Sequence, residues 1–283
     1  MSSLPCILCN RNGVDSWFTK TVRAVEYPIV RCEACKSAYT WPRPNDDVVQ
    51  DLYSDSDYNP NHNDQGLYWP SGEEDARRIF SEFGPHIRGR VFLDIGAGAG
   101  IASWEALRRG FTVRACEPSP QCQKEFEDRN GFLPEASFFD HAFAERNRNQ
   151  VDAALLSHVL EHLPNPDQIM IDVRTVLRPG GVIMIAVPLF GSIITSVLGK
   201  RDFFVTPPEH LNYFSLSGLK ALLERHGFSI VSSYSSSKVN MLRYKRLFGP
   251  ACYAFNGAAY GVLRASELFK RSVVINVCAR NAS

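Results

Sequence analysis

The sequence predicts an α/β fold in which helices cover both faces of a mostly parallel sheet. Two general observations lead to this prediction. Apolar strand-like runs alternate with helix-like segments from residue 71 to residue 283, which is the pattern of a parallel sheet covered on both faces. The run at 91–95 also ends in a turn with glycine at every second position, which is typical of a strand that leads directly into a helix.

Residues at the element boundaries support this order. Ser71 and Glu74 form a capping-box pattern, which predicts a helix through Phe83. The glycine turn then connects a strand to a helix, and a second apolar run follows at 111–119. Ser119 and Pro120 begin the next helix, which Gly131 ends.

The second half of the chain continues the alternation. Asn165 and Pro166 begin a helix that ends at 179–181, where Pro-Gly-Gly interrupts it. The other predicted elements are a weak strand at 136–139, strands at 151–157 and 182–188, a helix at 216–227 with leucines on one face, and final strands at 229–235 and 272–280.

The glycine turn predicts a site for a nucleoside cofactor. Gly96, Gly98 and Gly100 have no Cβ, so a ligand can lie close to the backbone at the end of the strand. The following helix points its amide groups at the turn, which suits a carboxylate or another anion. Glu117 lies at the end of the next strand, where an acid can accept hydrogen bonds from both hydroxyls of a ribose.

The spacing in this turn distinguishes between cofactors. A dinucleotide fingerprint needs glycine at position 101, where the chain has Ile101. The pattern D-x-G-x-G-x-G from Asp94 resembles motif I of the class I S-adenosylmethionine methyltransferases. This resemblance implies a Rossmann-like seven-stranded class I methyltransferase sheet over 71–283, with its last strand antiparallel, and S-adenosylmethionine as cofactor. The cofactor-binding residues that we expect are Asp94, Gly96, Ala97, Gly98, Gly100, Glu117, Pro118, Asp140, Ser157, His158 and Tyr58.

Four of the eight cysteines form two C-x-x-C pairs, Cys6 with Cys9 and Cys32 with Cys35. This pattern predicts a small zinc ribbon over 1–40 with short strands, whose four thiolates hold a structural zinc ion. A redox pair or four unrelated thiols are the alternatives. Residues 41–70 are rich in proline, asparagine and aspartate, which predicts a linker.

Three further strings resemble one branch of this family. SHVLEHL, VLRPGG and PPEHLNYFS are similar to strings in methyltransferases of small molecules, glycans and natural products, which often carry an N-terminal C-x-x-C module. The resemblance implies O-methylation of a small molecule or glycan. The alternatives are an RNA methyltransferase, a sugar C-methyltransferase, and a cofactor-binding module without turnover.

The candidate catalytic residues are Glu161, His162 and His210. Together with His158 they resemble the E-x-x-E-H motif of metal-dependent O-methyltransferases, with His158 in place of the first glutamate. In one hypothesis these four residues bind a divalent metal ion that activates the acceptor. In a second, His162 or His210 is a general base. In a third, Glu161 and His162 only satisfy backbone groups.

The charge and composition of the chain predict which partners it binds and where in the cell it is found. The formal net charge is +1, so we expect no nucleic acid partner. Two predicted insertions, 190–210 and 240–271, are candidates for a lid or cap. The second has six basic residues and one acidic residue, which favours either a helical cap with solvated charges or contact with a membrane or a phosphorylated acceptor. Without a signal peptide or a long apolar segment, a cytoplasmic protein is expected.

Overall fold

The computed structural model describes residues 5–44, 72–202, 204–237 and 261–282. The predicted linker from residue 45 onward, Tyr58 and the capping residue Ser71 lie outside the described residues, as does most of the predicted insertion 240–271. The described strands are β1 (Val14–Val22), β2 (Val25–Cys32), β3 (Ala38–Thr40), β4 (Val91–Ile95), β5 (Thr112–Cys116), β6 (Val151–Ser157), β7 (Leu177–Pro188), β8 (Asn212–Tyr213), β9 (Phe228–Ser236) and β10 (Val274–Asn281).

The described helices include the five that the sequence predicts and two short ones, at 141–146 and 193–198, that it does not predict. They are α1 (Gly72–Phe83), α2 (Ile101–Arg108), α3 (Pro120–Asn130), α4 (His141–Arg146), α5 (Pro166–Val176), α6 (Ile193–Leu198) and α7 (Leu216–Arg225). A further helical segment covers 261–268. Within this part of the chain, no helix is both long enough and apolar enough to cross a bilayer.

The central sheet has the strand order β5-β4-β6-β7-β10-β9. The first four strands are parallel, and β10 runs antiparallel to both β7 and β9. This arrangement confirms the predicted α/β class and its antiparallel final strand. It also places the ends of β4, β5, β6 and β7 along the same edge, which is where ligands bind in such sheets.

The described residues form six strands of this sheet, not the seven that the sequence predicts. At the position of the seventh, Ala136 makes one parallel bridge to Cys116. The segment has little room for a longer ladder, because Pro134 has no amide hydrogen and Asp140 already caps α4.

Caps and proline positions explain the helix boundaries. The side chain of Ser119 accepts a hydrogen bond from Cys122 N, and Asn165 accepts bonds from two amides at the start of α5. Gly131 ends α3 with a φ of 80°. The helix predicted to end at 179–181 stops earlier, at Val176, because β7 begins at Leu177.

The N-terminal residues form a second, antiparallel sheet with the order β1-β2-β3-β8. The strands β1 and β2 are 9 and 8 residues long, which is longer than the short strands that we expected, because they pair along their whole length. The fourth strand, β8, comes from the α/β domain, and its Asn212 and Tyr213 lie opposite Tyr39 and Ala38 of β3.

A cluster of serine hydroxyls also joins the second C-x-x-C turn to the start of α7. Ser215 N donates to Ser37 Oγ at 2.9 Å, and the hydroxyl of Ser215 donates to the carbonyl of Cys35. The Ser215 hydroxyl also accepts a bond from Gly218 N at 2.9 Å, so the residue caps α7 as well. A Cβ atom on Gly218 would lie only 2.0 Å from Ser37 Oγ, which shows how close the two parts of the chain are here.

We expect Ser215→Ala to lower the free energy of unfolding by about 2 kcal/mol or more, because it removes a helix cap and a bond to the N-terminal sheet. The matched control is Ser192→Ala, which removes the cap of α6, where Ser192 accepts a bond from Thr195 N. The control should cost about 1 kcal/mol. Urea unfolding of both variants checks this difference, and equal losses would contradict the proposed role of the serine cluster.

Candidate cofactor and acceptor site

The glycine turn after β4 is built for close approach of a ligand. Gly96, Gly98 and Gly100 have φ values of 67°, 54° and 71°, which favour glycine. A Cβ atom on Gly96 would lie 2.6 Å from a methyl of Val159, and one on Gly100 would lie 2.2 Å from Asn130 Nδ2. A Cβ atom on Gly98 would meet nothing within 4 Å. Packing therefore requires the outer two glycines, whereas the surface over Gly98 is open to a ligand.

Glu117 lies beside this turn at the end of β5. Its side chain is buried, and its two oxygens accept bonds from Gly98 N at 2.7 Å and Ser119 N at 2.8 Å. Burial raises the pKa of Glu117, although the two amide bonds oppose that shift. Each carboxylate oxygen retains a further acceptor site. The arrangement fits a ribose whose hydroxyls donate to Glu117, as the sequence predicts.

Two aspartates near the turn have structural contacts. Asp94 is buried and accepts a bond from Ser103 Oγ at 2.7 Å, and burial raises its pKa to about 6. The contact fits the expectation that Asp94 anchors the turn. Asp140 is exposed and caps α4 by accepting a bond from Phe143 N at 2.7 Å.

The other predicted cofactor residues lie along the same edge of the sheet. Ala97 N donates to Cys116 O at 3.1 Å, and Pro118 directly follows Glu117. Ser157 ends β6, and His158 follows with a φ of 57°. His158 N donates to Ala186 O at 2.8 Å, which holds its backbone against β7.

The candidate catalytic residues come together next to this edge. Glu161, His162 and His210 each offer one ligand atom, and these atoms all lie within 4.8 Å of one another. The rings of His162 and His210 have centroids 4.7 Å apart. His158 is not in this group of three, although its Nδ1 lies 3.2 Å from Glu161 Oε1.

Backbone carbonyls orient both imidazoles. His162 Nδ1 lies 2.8 Å from Glu209 O, and His210 Nδ1 lies 2.7 Å from Phe204 O. A carbonyl can only accept, so each Nδ1 carries the hydrogen and each neutral ring has its lone pair at Nε2. A lone pair at Nε2 is what a base or a metal ligand needs.

Glu161 is the most deeply buried member of this group. Its Oε2 atom is buried and has no hydrogen-bond partner among the described residues. Burial opposes its ionisation, but the bond to His158 and the charges of the neighbouring imidazoles lower the pKa of Glu161 overall. Burial and the charge of His210 lower the pKa of His162. The site therefore favours a carboxylate at Glu161 beside a neutral imidazole at His162.

Asn212 holds these residues in place, and the sequence reasoning missed it. Its side-chain amide donates to Leu160 O at 3.1 Å and to Leu163 O at 2.8 Å. The backbone amides of Leu211 and Asn212 both donate to Glu161 O. The sequence gives one indication of this role: Asn212 is a polar residue among apolar and aromatic neighbours, two residues after His210 in the string PPEHLNYFS.

The four N-terminal cysteines converge at a second centre. Their sulfur atoms all lie within 4.8 Å, with Cys6 3.8 Å from Cys35 and Cys9 3.7 Å from Cys32. Four sulfur ligands at about 2.3 Å from a tetrahedral zinc ion lie about 3.8 Å apart. The geometry of the cluster therefore fits zinc.

The two C-x-x-C turns also have the same backbone conformation. Asn10 N donates to Cys6 O at 2.7 Å, and Lys36 N donates to Cys32 O at 2.8 Å. Asn10 and Lys36 both have left-handed φ values, of 58° and 62°. Hydrogen bonds from the Cys6 thiol and from Ser37 lower the pKa of Cys35 to about 5, which favours a thiolate.

The part of the sequence that contains the glycine turn matches a known protein family. A family model described as "Methyltransferase domain" matches residues 68–233. The ubiquinone biosynthesis O-methyltransferase of Cupriavidus pinatubonensis is 27% identical over 184 residues, which cover 57% of this chain and 74% of that protein. The fold is also similar to the crystal structure of a SAM dependent methyltransferase from Archaeoglobus fulgidus. The two chains superpose with a TM-score of 0.53 at 18% identity, over 74% of this chain and 94% of that one.

Other relatives are named for tRNA modification. The tRNA U34 carboxymethyltransferase of Chromohalobacter salexigens is 28% identical over 161 residues, or 52% of this chain and 47% of that protein. The tRNA 5-carboxymethoxyuridine methyltransferase of Escherichia coli is 31% identical over 125 residues, or 42% of this chain and 46% of that protein. This chain thus spans about half the length of either relative.

These relatives correct one expectation from the sequence. We expected no nucleic acid partner from the net charge, and that expectation is wrong, because proteins named for action on tRNA are among the similar sequences. The general function is nevertheless clear, since the family model covers more than half of the 283 residues. The chain belongs to the methyltransferase-domain family and is an S-adenosylmethionine-dependent methyltransferase.

Proposed function

We propose that this methyltransferase acts on an oxygen of its acceptor, and that Glu161, His162 and His210 remove the proton that the acceptor must lose. The observation that carries the proposal is the buried, unsatisfied Oε2 of Glu161, which lies beside two imidazoles. The similarity to a ubiquinone O-methyltransferase supports oxygen as the methylated atom. The sequence favours a small molecule or glycan as acceptor, and the tRNA relatives add RNA as a second candidate.

Residues at the glycine turn would hold the cofactor. The open surface over Gly98 accepts its close approach, and Glu117 binds its ribose hydroxyls. When bound, the cofactor supplies an electrophilic methyl group. The remaining task of the protein is to position the acceptor and to take up its proton.

The same three residues could remove the acceptor proton by either of two mechanisms. In the first, Nε2 of one imidazole accepts the proton, and the Glu161 carboxylate stabilises the resulting positive charge. In the second, Glu161, His162 and His210 hold a divalent transition metal ion that lowers the pKa of the acceptor hydroxyl. The bonds from both Nδ1 atoms to carbonyls suit a metal ligand, because such bonds fix the ring orientation.

The four-cysteine cluster would hold a structural zinc ion, since four protein ligands leave no open position. Thiolates that must stay reduced suit a reducing compartment, so we place the protein in the cytoplasm.

Glu117→Gln should raise the Kd for S-adenosylmethionine about tenfold or more, because a glutamine amide cannot replace both acceptor oxygens. Gly98→Ala should have a similar effect, since its methyl group would project into the open surface. Calorimetric titration checks both changes. The control is Glu135→Gln, which alters an exposed carboxylate bonded to Arg114. An unchanged Kd in both variants would place the cofactor elsewhere.

His162→Ala and His210→Ala should lower the rate of methyl transfer about 100-fold or more and leave the affinity for S-adenosylmethionine unchanged. The assay follows radiolabelled methyl groups into two fractions of a cell extract, its small molecules and its total RNA. The control is His141→Ala, an exposed histidine that bonds Asp172. Full label transfer by both site variants would refute the role that we assign to these residues.

Cobalt(II) titration of the zinc-loaded protein separates the two versions of this site. If a metal binds there, wild-type protein should develop a visible absorption band that Glu161→Gln and His210→Ala both lose. If cobalt does not bind and transfer continues in the presence of chelator, the imidazoles act as a base without metal.

Purified protein should contain about one zinc ion per chain, and Cys32→Ser should lose it. The loss should lower the Tm by about 5 °C or more, because metal binding to the four thiolates stabilises the folded N-terminal residues. The control is Cys278→Ala, which changes a buried cysteine in β10 and should retain the zinc. Metal analysis and thermal melting measure both effects, and a full complement of zinc in Cys32→Ser would exclude the four-thiolate site.

A further inference from the structure

A cleft of about 860 Å³ lies between the N-terminal sheet and the α/β domain. We call it the basic cleft, because the described residues that line it include five cationic side chains and no acidic one. Those cations are Arg31, Lys36, Lys220, Lys270 and Arg271. They come from four separate parts of the chain: β2, the second C-x-x-C turn, α7 and the segment before β10.

Three of these cations have no carboxylate partner within the described residues. Arg31 Nε is buried without a hydrogen-bond partner. Lys270 Nζ donates to Ser233 Oγ at 2.7 Å, and Arg271 donates to Ser196 Oγ at 3.0 Å, so both bond only to neutral hydroxyls here. Their positive charge is therefore not neutralised by an ion pair.

The other two cations pair only at the surface. Lys36 lies 2.7 Å from Glu33, and Lys220 lies 3.6 Å from Glu224, with more than half of each side chain exposed in both pairs. Such exposed pairs are weak and rearrange readily. The cleft as a whole keeps an excess of positive charge.

The rest of the lining suits a phosphorylated ligand with a ring. The first residues of α7, including Leu216 and Ser217, face the cleft, and the start of a helix favours an anion. Trp17 and Phe269 provide aromatic surface, and Phe269 is 76% exposed. Cations with an exposed aromatic ring are the combination that binds phosphates and stacks a base.

The basic cleft adjoins the candidate catalytic residues. Leu189 and Phe190, which directly follow β7, line the cleft and also line a small cavity that contains His210 and Asn212. The two spaces thus share a wall at the carboxyl end of β7, on the edge of the sheet where ligands bind.

We propose that the basic cleft binds the phosphates of the acceptor, so that this methyltransferase acts on a molecule with at least two neighbouring phosphate groups. The inference rests on the proposed function, because it assumes that the acceptor reaches His210. The volume of the cleft exceeds what one phosphate needs and lies in the range of pockets for whole ligands. The same chemistry occurs in a diphosphate-linked small molecule and in an RNA strand.

Direct binding tests this proposal without turnover. The probes are inorganic pyrophosphate, uridine diphosphate and a labelled eight-nucleotide RNA, each titrated with full-length protein saturated with S-adenosylhomocysteine. At least one probe should bind, and Arg31→Gln combined with Arg271→Gln should raise its Kd about tenfold or more. The control is Arg88→Gln, an exposed arginine on the connection that precedes β4.

The pattern of probe binding identifies the kind of acceptor or refutes the proposal. Tight binding of uridine diphosphate indicates a diphosphate-linked small molecule, and binding of RNA alone indicates a nucleic acid strand. If no probe binds, or if the cleft variant binds as well as wild type, the proposal is wrong. Lys220→Gln, at an exposed position, provides a second test if the double variant does not fold.

The same data separate this proposal from the proposed function. If the cleft variant loses probe binding while His210→Ala keeps full methyl transfer, the basic cleft stands and the catalytic assignment fails. If His210→Ala loses transfer while the cleft variant binds every probe normally, the catalytic assignment stands and the cleft proposal fails.

Discussion

The position of the short strand β8 is the constraint on which most of this structure depends. On one side, the backbone amides of Leu211 and Asn212 donate to the carbonyl of Glu161. On the other, Asn212 and Tyr213 pair with β3, and Thr40 N donates to Leu211 O. The segment therefore ties the N-terminal sheet, the glutamate of the candidate site and the neighbouring His210 into one unit. A shift of any of them would break hydrogen bonds of buried backbone groups, which is costly.

This coupling gives the four-cysteine cluster a role beyond its own fold. The cluster fixes the C-x-x-C turns, and the carbonyl of Cys35 accepts bonds from Ser215 and Ser217 at the start of α7. One wall of the basic cleft is built from this same N-terminal sheet, through Trp17 and Arg31. A structural metal at the cluster would thus stabilise one wall of the basic cleft.

Features that depend on local sequence could be predicted, and those that depend on distant contacts could not. The glycine turn, the helix caps at Ser119 and Asn165, and the paired C-x-x-C turns each need only a few neighbouring residues, so spacing reveals them. The pairing of β3 with β8 and the bond between Ser37 and Ser215 join residues far apart in sequence, where no local pattern points to a partner. Within the described residues, the weak strand predicted at 136–139 is reduced to a single bridge between Ala136 and Cys116, which the apolar residues of the segment do not indicate.

The net charge of the chain gave a wrong prediction about nucleic acid partners for a related reason. A formal charge of +1 is a sum over the whole chain, whereas binding of an anion depends on where the cations lie. Four of the five cations in the basic cleft, all except Lys220, lie outside residues 68–233, which match the family model. The family model therefore covers the glycine turn, the candidate catalytic residues and the cleft lining at 189–220, but not most of the cleft's cations. If the basic cleft binds the acceptor as proposed, most of the charge that holds the acceptor comes from residues outside the matched range.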